Sequence, residues 1–111
     1  MTAKEACAAA VKAFMTGKFA EAVALYAEAH AAEPANLDAL RGLAMVNGQM
    51  GKADEAVAWA TKMTEVAAGD PMAWATLSML LQKQGRIKEA EDAQAQARVL
   101  GWKAQLKKPP A

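Results

Sequence analysis

The side chains best suited to chemistry in this sequence are one thiol and one imidazole. Cys7 and His30 are the single cysteine and the single histidine among 111 residues. A catalytic nucleophile needs a base beside it, but these two residues fall in different predicted helices. One cysteine forms no internal disulfide or CxxC motif, and one histidine forms no multi-histidine metal site. We therefore expect Cys7 to be a small packed hydrophobe. We expect His30 to add charge near the end of its helix or to pack on the neighbouring turn, and we expect no catalytic residues, metal or cofactor.

Three carboxylates recur at a fixed spacing and look at first like a catalytic set. Glu21, Glu55 and Glu89 are separated by 34 residues each time. Each falls in the first turn of a predicted helix, where a negative charge interacts favourably with the helix dipole. This position explains the glutamates structurally, and an enzyme would instead need a ligand or metal near Cys7 and His30.

The overall composition excludes several further classes of protein. Thirteen basic and twelve acidic residues give a net charge of +1, so we expect no nucleic-acid partner. The sequence contains no run of eighteen apolar residues, so it predicts no membrane span. Lys4, Glu5 and Lys12 interrupt the apolar core that a signal peptide needs. The expected compartment is cytoplasmic, or periplasmic if a leader has been removed. Alanine abundance, with seven glycines and four prolines, favours helices in a single domain.

An internal repeat organises the chain. Gly17, Gly51 and Gly85 lie 34 residues apart, and a basic residue follows each of them directly. Glutamate stands four positions after each glycine, and alanine follows the glutamate. Self-similarity at this period is typical of stacked helical repeats. The sequence predicts one domain over 1–106 with units 3–36, 37–70 and 71–104, and a flexible tail over 107–111. The predicted helices are 3–16, 19–32, 37–49, 53–67, 71–84 and 87–99.

Local signals mark the ends of these helices. Thr2 and Glu5 predict a capping box, Asn36 predicts an N-cap, and Asp70 followed by proline predicts another. Gly69 and Gly101 are placed where left-handed C-caps would end the fourth and sixth helices.

The unit resembles the tetratricopeptide repeat, a helix–turn–helix of 34 residues with small residues at fixed positions. The first unit matches in its second half and the third in its first half; the matching residues are Ala22, Tyr26, Ala29 and Pro34, then Trp74, Leu77, Ser78 and Leu81. Asn47, Gln94 and Trp102 depart from the pattern. The resemblance implies an all-α, right-handed solenoid of three helix–turn–helix repeats, whose last helix is polar outside and serves as a cap.

The resemblance also implies a concave groove lined by the first helix of each unit. Transferred position by position, the candidate peptide-binding residues are Cys7, Ala8, Val11, Met15, Asp38, Arg41, Gly42, Met45, Gln49, Met72, Thr76, Met79 and Lys83. Lys4 and Phe14 also fall at groove positions. The four methionines would give this surface an adaptable apolar lining.

Co-chaperones of the family hold peptide carboxylates with a clamp of Lys, Asn, Asn, Lys and Arg. The matching positions here carry Cys7, Val11, Gly42, Met72 and Thr76, so no such clamp is expected. The resemblance and the lining together predict a non-enzymatic interaction module that binds a protein or peptide segment with apolar anchors. The alternative is a self-assembling scaffold, a homo-oligomer formed through the stack ends or the groove.

Overall fold

The computed structural model describes residues 1–107, which form six helices and no strand. The helices are α1 (Ala3–Met15), α2 (Phe19–Ala32), α3 (Leu37–Gln49), α4 (Ala53–Val66), α5 (Pro71–Lys83) and α6 (Ile87–Leu106). Each unit is a helix pair that packs against the next pair. The predicted all-α repeat architecture is confirmed. The predicted tail, 107–111, lies outside the described residues except for Lys107.

The turn inside each unit has the same geometry three times. Gly17, Gly51 and Gly85 have φ values of 79°, 77° and 80°, which side-chain-bearing residues rarely adopt. The N–H after each glycine donates to the carbonyl five residues earlier, as from Lys18 to Ala13 at 2.8 Å. This is a Schellman motif, and it satisfies the last carbonyls of the first helix while the chain reverses.

The predicted N-caps are present. The Glu5 N–H donates to Thr2 Oγ1 at 3.1 Å, and the Thr2 N–H donates to Glu5 Oε1 at 2.8 Å, which completes a capping box. Asn36 accepts from the Ala39 N–H at 3.0 Å, and Asp70 accepts from the Met72 N–H at 2.9 Å. These bonds fix where the first helix of each unit begins.

The predicted left-handed C-caps at Gly69 and Gly101 are wrong. Neither glycine has a positive φ, and α6 continues through Gly101 to Leu106. A single glycine inside a helix costs only about 1 kcal/mol relative to alanine. The five residues after Gly101 include no proline, so the helix continues.

Small side chains allow the helices of a pair to pack closely. Eight of the nine residues at the small positions of the repeat are small and buried, namely Ala10, Ala22, Ala29, Ala44, Ala56, Ser78, Ala90 and Ala97. Ser78 also donates from Oγ to the Ala90 carbonyl at 2.7 Å, which links α5 to α6. Larger residues fill the space between units, and Leu40, Leu43, Val46 and Met63 are almost completely buried.

The polar Asn47 lies at a position where the repeat usually has a bulky apolar residue. Its side chain is 5% exposed, and its Nδ2 donates to the Leu43 carbonyl one turn earlier at 2.7 Å. A buried amide that makes such a bond avoids most of the cost of desolvation. The packing of α3 is therefore preserved despite the departure.

Candidate binding groove

A cavity of about 700 Å³ lies between α1 and α3. One wall comes from α1, the opposite wall comes from α3, and Tyr26 of α2 contributes from behind. The lining residues are Lys4, Cys7, Ala8, Val11, Phe14, Tyr26, Asn36, Asp38, Arg41, Gly42, Met45 and Val46. The volume lies within the range of small-molecule and side-chain pockets, and most of the lining is apolar.

The back of the cavity depends on a close contact between Tyr26 and Gly42. The Tyr26 ring lies directly over Gly42, and any Cβ atom at position 42 would overlap the ring. Gly42 is therefore needed to accommodate the tyrosine, in addition to leaving space in the cavity. Tyr26 itself is only 8% exposed, so its ring forms a fixed surface.

Charged and polar groups lie around the apolar lining. Arg41 Nη1 is 3.1 Å from Asp38 Oδ1, one turn away on α3. Arg41 Nε is buried and has no hydrogen-bond partner among the described residues. Lys4 from α1 and Asn36 at the N-cap of α3 also line the cavity. The cavity therefore offers donors for a carboxylate or carbonyl near an apolar surface.

The two weakly acidic groups in the cavity are kept neutral. Burial raises the pKa of the Cys7 thiol, and the nearby Asp38 and Glu33 charges raise it further. Burial also raises the pKa of Tyr26, and the neighbouring Cys7 and Asp38 add to the effect. A protonated thiol is a poor nucleophile and a protonated phenol is a hydrogen-bond donor. The cavity thus has the chemistry of a binding surface.

The structure separates the residues that could have formed a catalytic pair. Cys7 lines the cavity, whereas His30 packs edge-on against Trp59 with ring centroids 5.1 Å apart. Glu21 and Glu55 are exposed on α2 and α4, and Glu89 on α6 pairs with Arg86. Residues 1–107 contain no cluster of three or more His, Cys, Asp or Glu side chains that would hold a metal ion.

The predicted groove residues divide into two groups. Seven of them line the cavity: Cys7, Ala8, Val11, Asp38, Arg41, Gly42 and Met45. The other six do not line it: Met15, Gln49, Met72, Thr76, Met79 and Lys83. Of these six, Met15 and Met72 are highly exposed and Thr76 is buried. The structure brings the first two units together around one pocket and leaves the third outside it.

Three lining residues escaped the sequence interpretation, namely Tyr26, Asn36 and Val46. Tyr26 lies on a second helix, and the repeat pattern assigns that position to packing. Its access to the cavity follows from the missing side chain at Gly42. The sequence shows that a tyrosine and a glycine are present, but only the structure shows that they pack against each other.

A comparison with known protein families identifies the repeat in this chain. The profile of the tetratricopeptide repeat matches residues 13–80. The chain belongs to the tetratricopeptide repeat family. None of the described helices is both long and apolar enough to cross a membrane. No curated protein sequence matches this chain significantly.

Solved structures share the fold at low sequence identity. MamA has a TM-score of 0.87 at 21% identity over 94% of this chain, which spans 61% of the MamA chain. The second TPR domain of Spaghetti (RPAP3), bound to an HSP90 peptide, has a TM-score of 0.80 at 22% identity, covering 88% of this chain and 91% of its own. The translocator chaperone SycD of Yersinia enterocolitica type III secretion has a TM-score of 0.82 at 18% identity, covering 88% and 74%. These likenesses establish the fold alone.

Proposed function

We propose that this protein is a non-enzymatic interaction module that binds a segment of a partner protein in the cavity between α1 and α3. The observation that carries the proposal is the open, mostly apolar cavity of about 700 Å³. An exposed apolar hollow on a small protein is costly unless something covers it. The Spaghetti domain, which has this fold and is bound to an HSP90 peptide, supports a peptide as the ligand class.

The lining indicates the chemistry of the segment. Val11, Phe14 and Met45 form an apolar surface that suits one large aliphatic or aromatic side chain. Met45 has three rotatable bonds and can adapt to side chains of different shape. Arg41 and Lys4 would bind a carboxylate or backbone carbonyl of the same segment. We therefore propose a ligand with an apolar anchor and an adjacent acceptor.

This recognition differs from a co-chaperone carboxylate clamp. Cys7, Val11 and Gly42 occupy three of the clamp positions and line the cavity without a charged group. The cationic groups that line it lie in other units than the clamp would need, because Lys4 of the first unit corresponds to Met72 and Arg41 of the second unit corresponds to Cys7. A peptide that ends in a pair of carboxylates is therefore not the ligand that we propose.

Self-assembly by end-to-end stacking is less well supported. On α3, Ala39 and Val46 are buried. The corresponding positions of α1 carry Glu5 and Lys12, so the face of α1 that another copy would cover is charged. At the other end of the stack, Glu91, Gln94 and Arg98 border a small polar hollow between α5 and α6. Burying these charges against another copy would incur a desolvation cost.

The test is selection of peptides from a displayed random library, followed by affinity measurements with purified variants. Val11 is 45% exposed in the cavity wall, and Met15 on the same helix is 78% exposed outside it. Val11→Glu should weaken binding at least about tenfold, which corresponds to about 1.4 kcal/mol. Met15→Glu is the matched control and should change affinity less than about twofold.

Circular dichroism should show that both variants keep the helical fold, because both side chains are exposed. Failure to select any peptide, or peptides that respond to Met15→Glu and not to Val11→Glu, would contradict the proposal.

A further inference from the structure

The last two turns of α6 present large apolar side chains to solvent. α6 has 20 residues, whereas the other second helices, α2 and α4, have 14 each. In this extension Trp102 is 66% exposed and Leu106 is 70% exposed, and Val99 one turn earlier is 41% exposed. The buried face of the helix consists of Ala90, Ala93 and Ala97. The apolar residues of the extension therefore face away from the core.

These residues are spaced like one side of a coiled coil. Ala95, Val99, Trp102 and Leu106 follow one another at intervals of four, three and four residues, and all are exposed. We call these four residues the α6 seam. Intervals of this kind repeat every 3.5 residues on average and align on one narrow line of a helix. Helices that lie in a membrane surface or pack into a core have a broader apolar face.

The charges beside the α6 seam have a single sign. Residues 93–107 include Arg98, Lys103 and Lys107 and no acidic residue. Arg98 directly precedes Val99, and Lys103 directly follows Trp102, so one cation flanks the seam on each side. Neither takes part in an ion pair within the part of the chain described.

This pattern distinguishes among the possible occupants. A second copy of the chain would bring Arg98 and Lys103 close to the same cations across the seam, which disfavours pairing. A helix with acidic residues beside its own apolar seam would instead form charge-complementary contacts on both sides. We propose that the α6 seam docks an amphipathic helix of another protein whose flanking positions carry Glu or Asp.

This docking surface is independent of the cavity, because no residue of α6 lines the space between α1 and α3. The chain would then hold two partner segments, or two parts of one partner, at separate places. The loss of one interaction would leave the other intact, so the two proposals can fail separately.

The test uses two fluorescein-labelled peptides of about four heptads with Ile at a and Leu at d. One peptide carries Glu at the e and g positions, and the matched peptide carries Lys there. Fluorescence anisotropy with the purified full chain should give a dissociation constant at least about tenfold lower for the Glu peptide. Trp102→Ala should abolish most of this binding, and higher salt should weaken it.

Charge reversal provides the decisive variant. The double variant Arg98→Glu and Lys103→Glu should prefer the Lys peptide, a switch that a general loss of structure would not produce. Lys88→Glu, at the other end of α6, is the control and should retain the original preference.

Four results would overturn the proposal. Equal binding of both peptides would remove the role of charge, and binding of neither peptide would remove the docking site. If light scattering shows that the parent is a dimer and that the Trp102→Ala variant is a monomer, the occupant of the α6 seam is a second copy of the chain. Trp102-dependent sedimentation with vesicles of phosphatidylcholine and phosphatidylglycerol, without binding of the Glu peptide, would make a lipid surface the occupant.

Discussion

On its concave side, the junction between the first two units is open between α1 and α3, whereas the junction between the second and third is filled by side chains between α3 and α5. At the first junction Phe14 of α1 and Val46 of α3 both line the cavity. The corresponding residues at the second junction are Gly48 of α3 and Leu80 of α5. A Cβ atom on Gly48 would lie 3.1 Å from Leu80 Cδ2, so the Leu80 side chain packs against α3 at this point. The repeat position that carries Phe14 at the open junction thus carries Gly48 at the packed junction.

Side chains next to these positions reinforce the contrast. At one repeat position, Ala8 is exposed at the cavity and Gly42 leaves room for the Tyr26 ring, while Thr76 of the third unit is buried. The Thr76 hydroxyl donates to the Met72 carbonyl at 2.9 Å. Met79 is half-buried against the core cluster that includes Leu77 and Leu80. Helix pairs of the same kind therefore leave a cavity between α1 and α3 but packed side chains between α3 and α5.

The largest expected effect is the loss of Tyr26, which supports the open junction. Tyr26→Ala should lower the free energy of unfolding by about 3 kcal/mol, because a large buried ring leaves a void. Urea denaturation followed by circular dichroism measures this loss. Tyr26→Phe keeps the ring and should be nearly neutral for stability, since the hydroxyl has no hydrogen-bond partner among residues 1–107. A large loss of stability in Tyr26→Phe would show that the hydroxyl, and not the ring, supports the fold.

Two glycine variants compare the junctions directly. Gly42→Ala should destabilise the fold by about 2 kcal/mol, because the new methyl group displaces the Tyr26 ring. Gly48→Ala should remain within about 1 kcal/mol of the parent, because the Leu80 side chain can shift and alanine favours the helix. Thermal and urea denaturation of both variants test this order. Equal effects would mean that the two junctions are packed alike.

A third comparison concerns ligand binding at the two junctions. Met45→Glu should weaken a cavity-binding peptide at least about tenfold, because a charge would replace part of the apolar lining. Met72→Glu should change affinity less than about twofold, because Met72 is 59% exposed and does not line the cavity. Calorimetric titration of one selected peptide against both variants measures the difference. Similar losses would extend the groove to the third unit.

The smallest expected effect is a pH dependence at the start of α1, one wall of the open junction. The hydrogen bond from the Thr2 backbone N–H is the main reason that the pKa of Glu5 lies below its usual value, and the Thr2 side chain lowers this pKa further. The charged carboxylate is thus favoured in the folded state, so its contribution is present above the unfolded pKa of about 4.3 and is lost as pH falls through the folded value. The melting temperature of Glu5→Gln should fall less steeply than that of the parent on acidification below about pH 4.5. Parallel pH profiles would exclude this contribution.

The sequence was sufficient to predict most of the fold because its signals are local. The caps at Thr2, Asn36 and Asp70 and the glycine turns lie within a few residues of the ends that they determine. The first five helices consequently end within about one residue of prediction, well inside the usual error. The end of α6 was missed because Gly101 was given the role of a terminator, although the residues around it favour a helix.

The site could be predicted only in part. Of the nine candidate groove residues on α1 and α3, seven line the cavity, whereas Met15 and Gln49 do not. The repeat pattern did not identify Tyr26, which reaches the cavity because Gly42 packs beneath it. It also extended the groove to the third unit, whereas the contact between Gly48 and Leu80 closes that junction. Both outcomes depend on the sizes of side chains that meet across helices, which repeat position alone does not specify.

The three glycine turns have an implication for how such chains grow. No atom outside the immediate backbone lies within 4 Å of a Cβ position at Gly17, Gly51 or Gly85. Each reversal therefore has its own backbone handedness and its own Schellman bonds, and at the third turn Gln84 also donates to Asp54 of the preceding unit. A further 34-residue segment spliced between 70 and 71 would carry its own reversal with it. Lengthening by duplication would then require new side chains at the faces that meet, but no redesign of the bends.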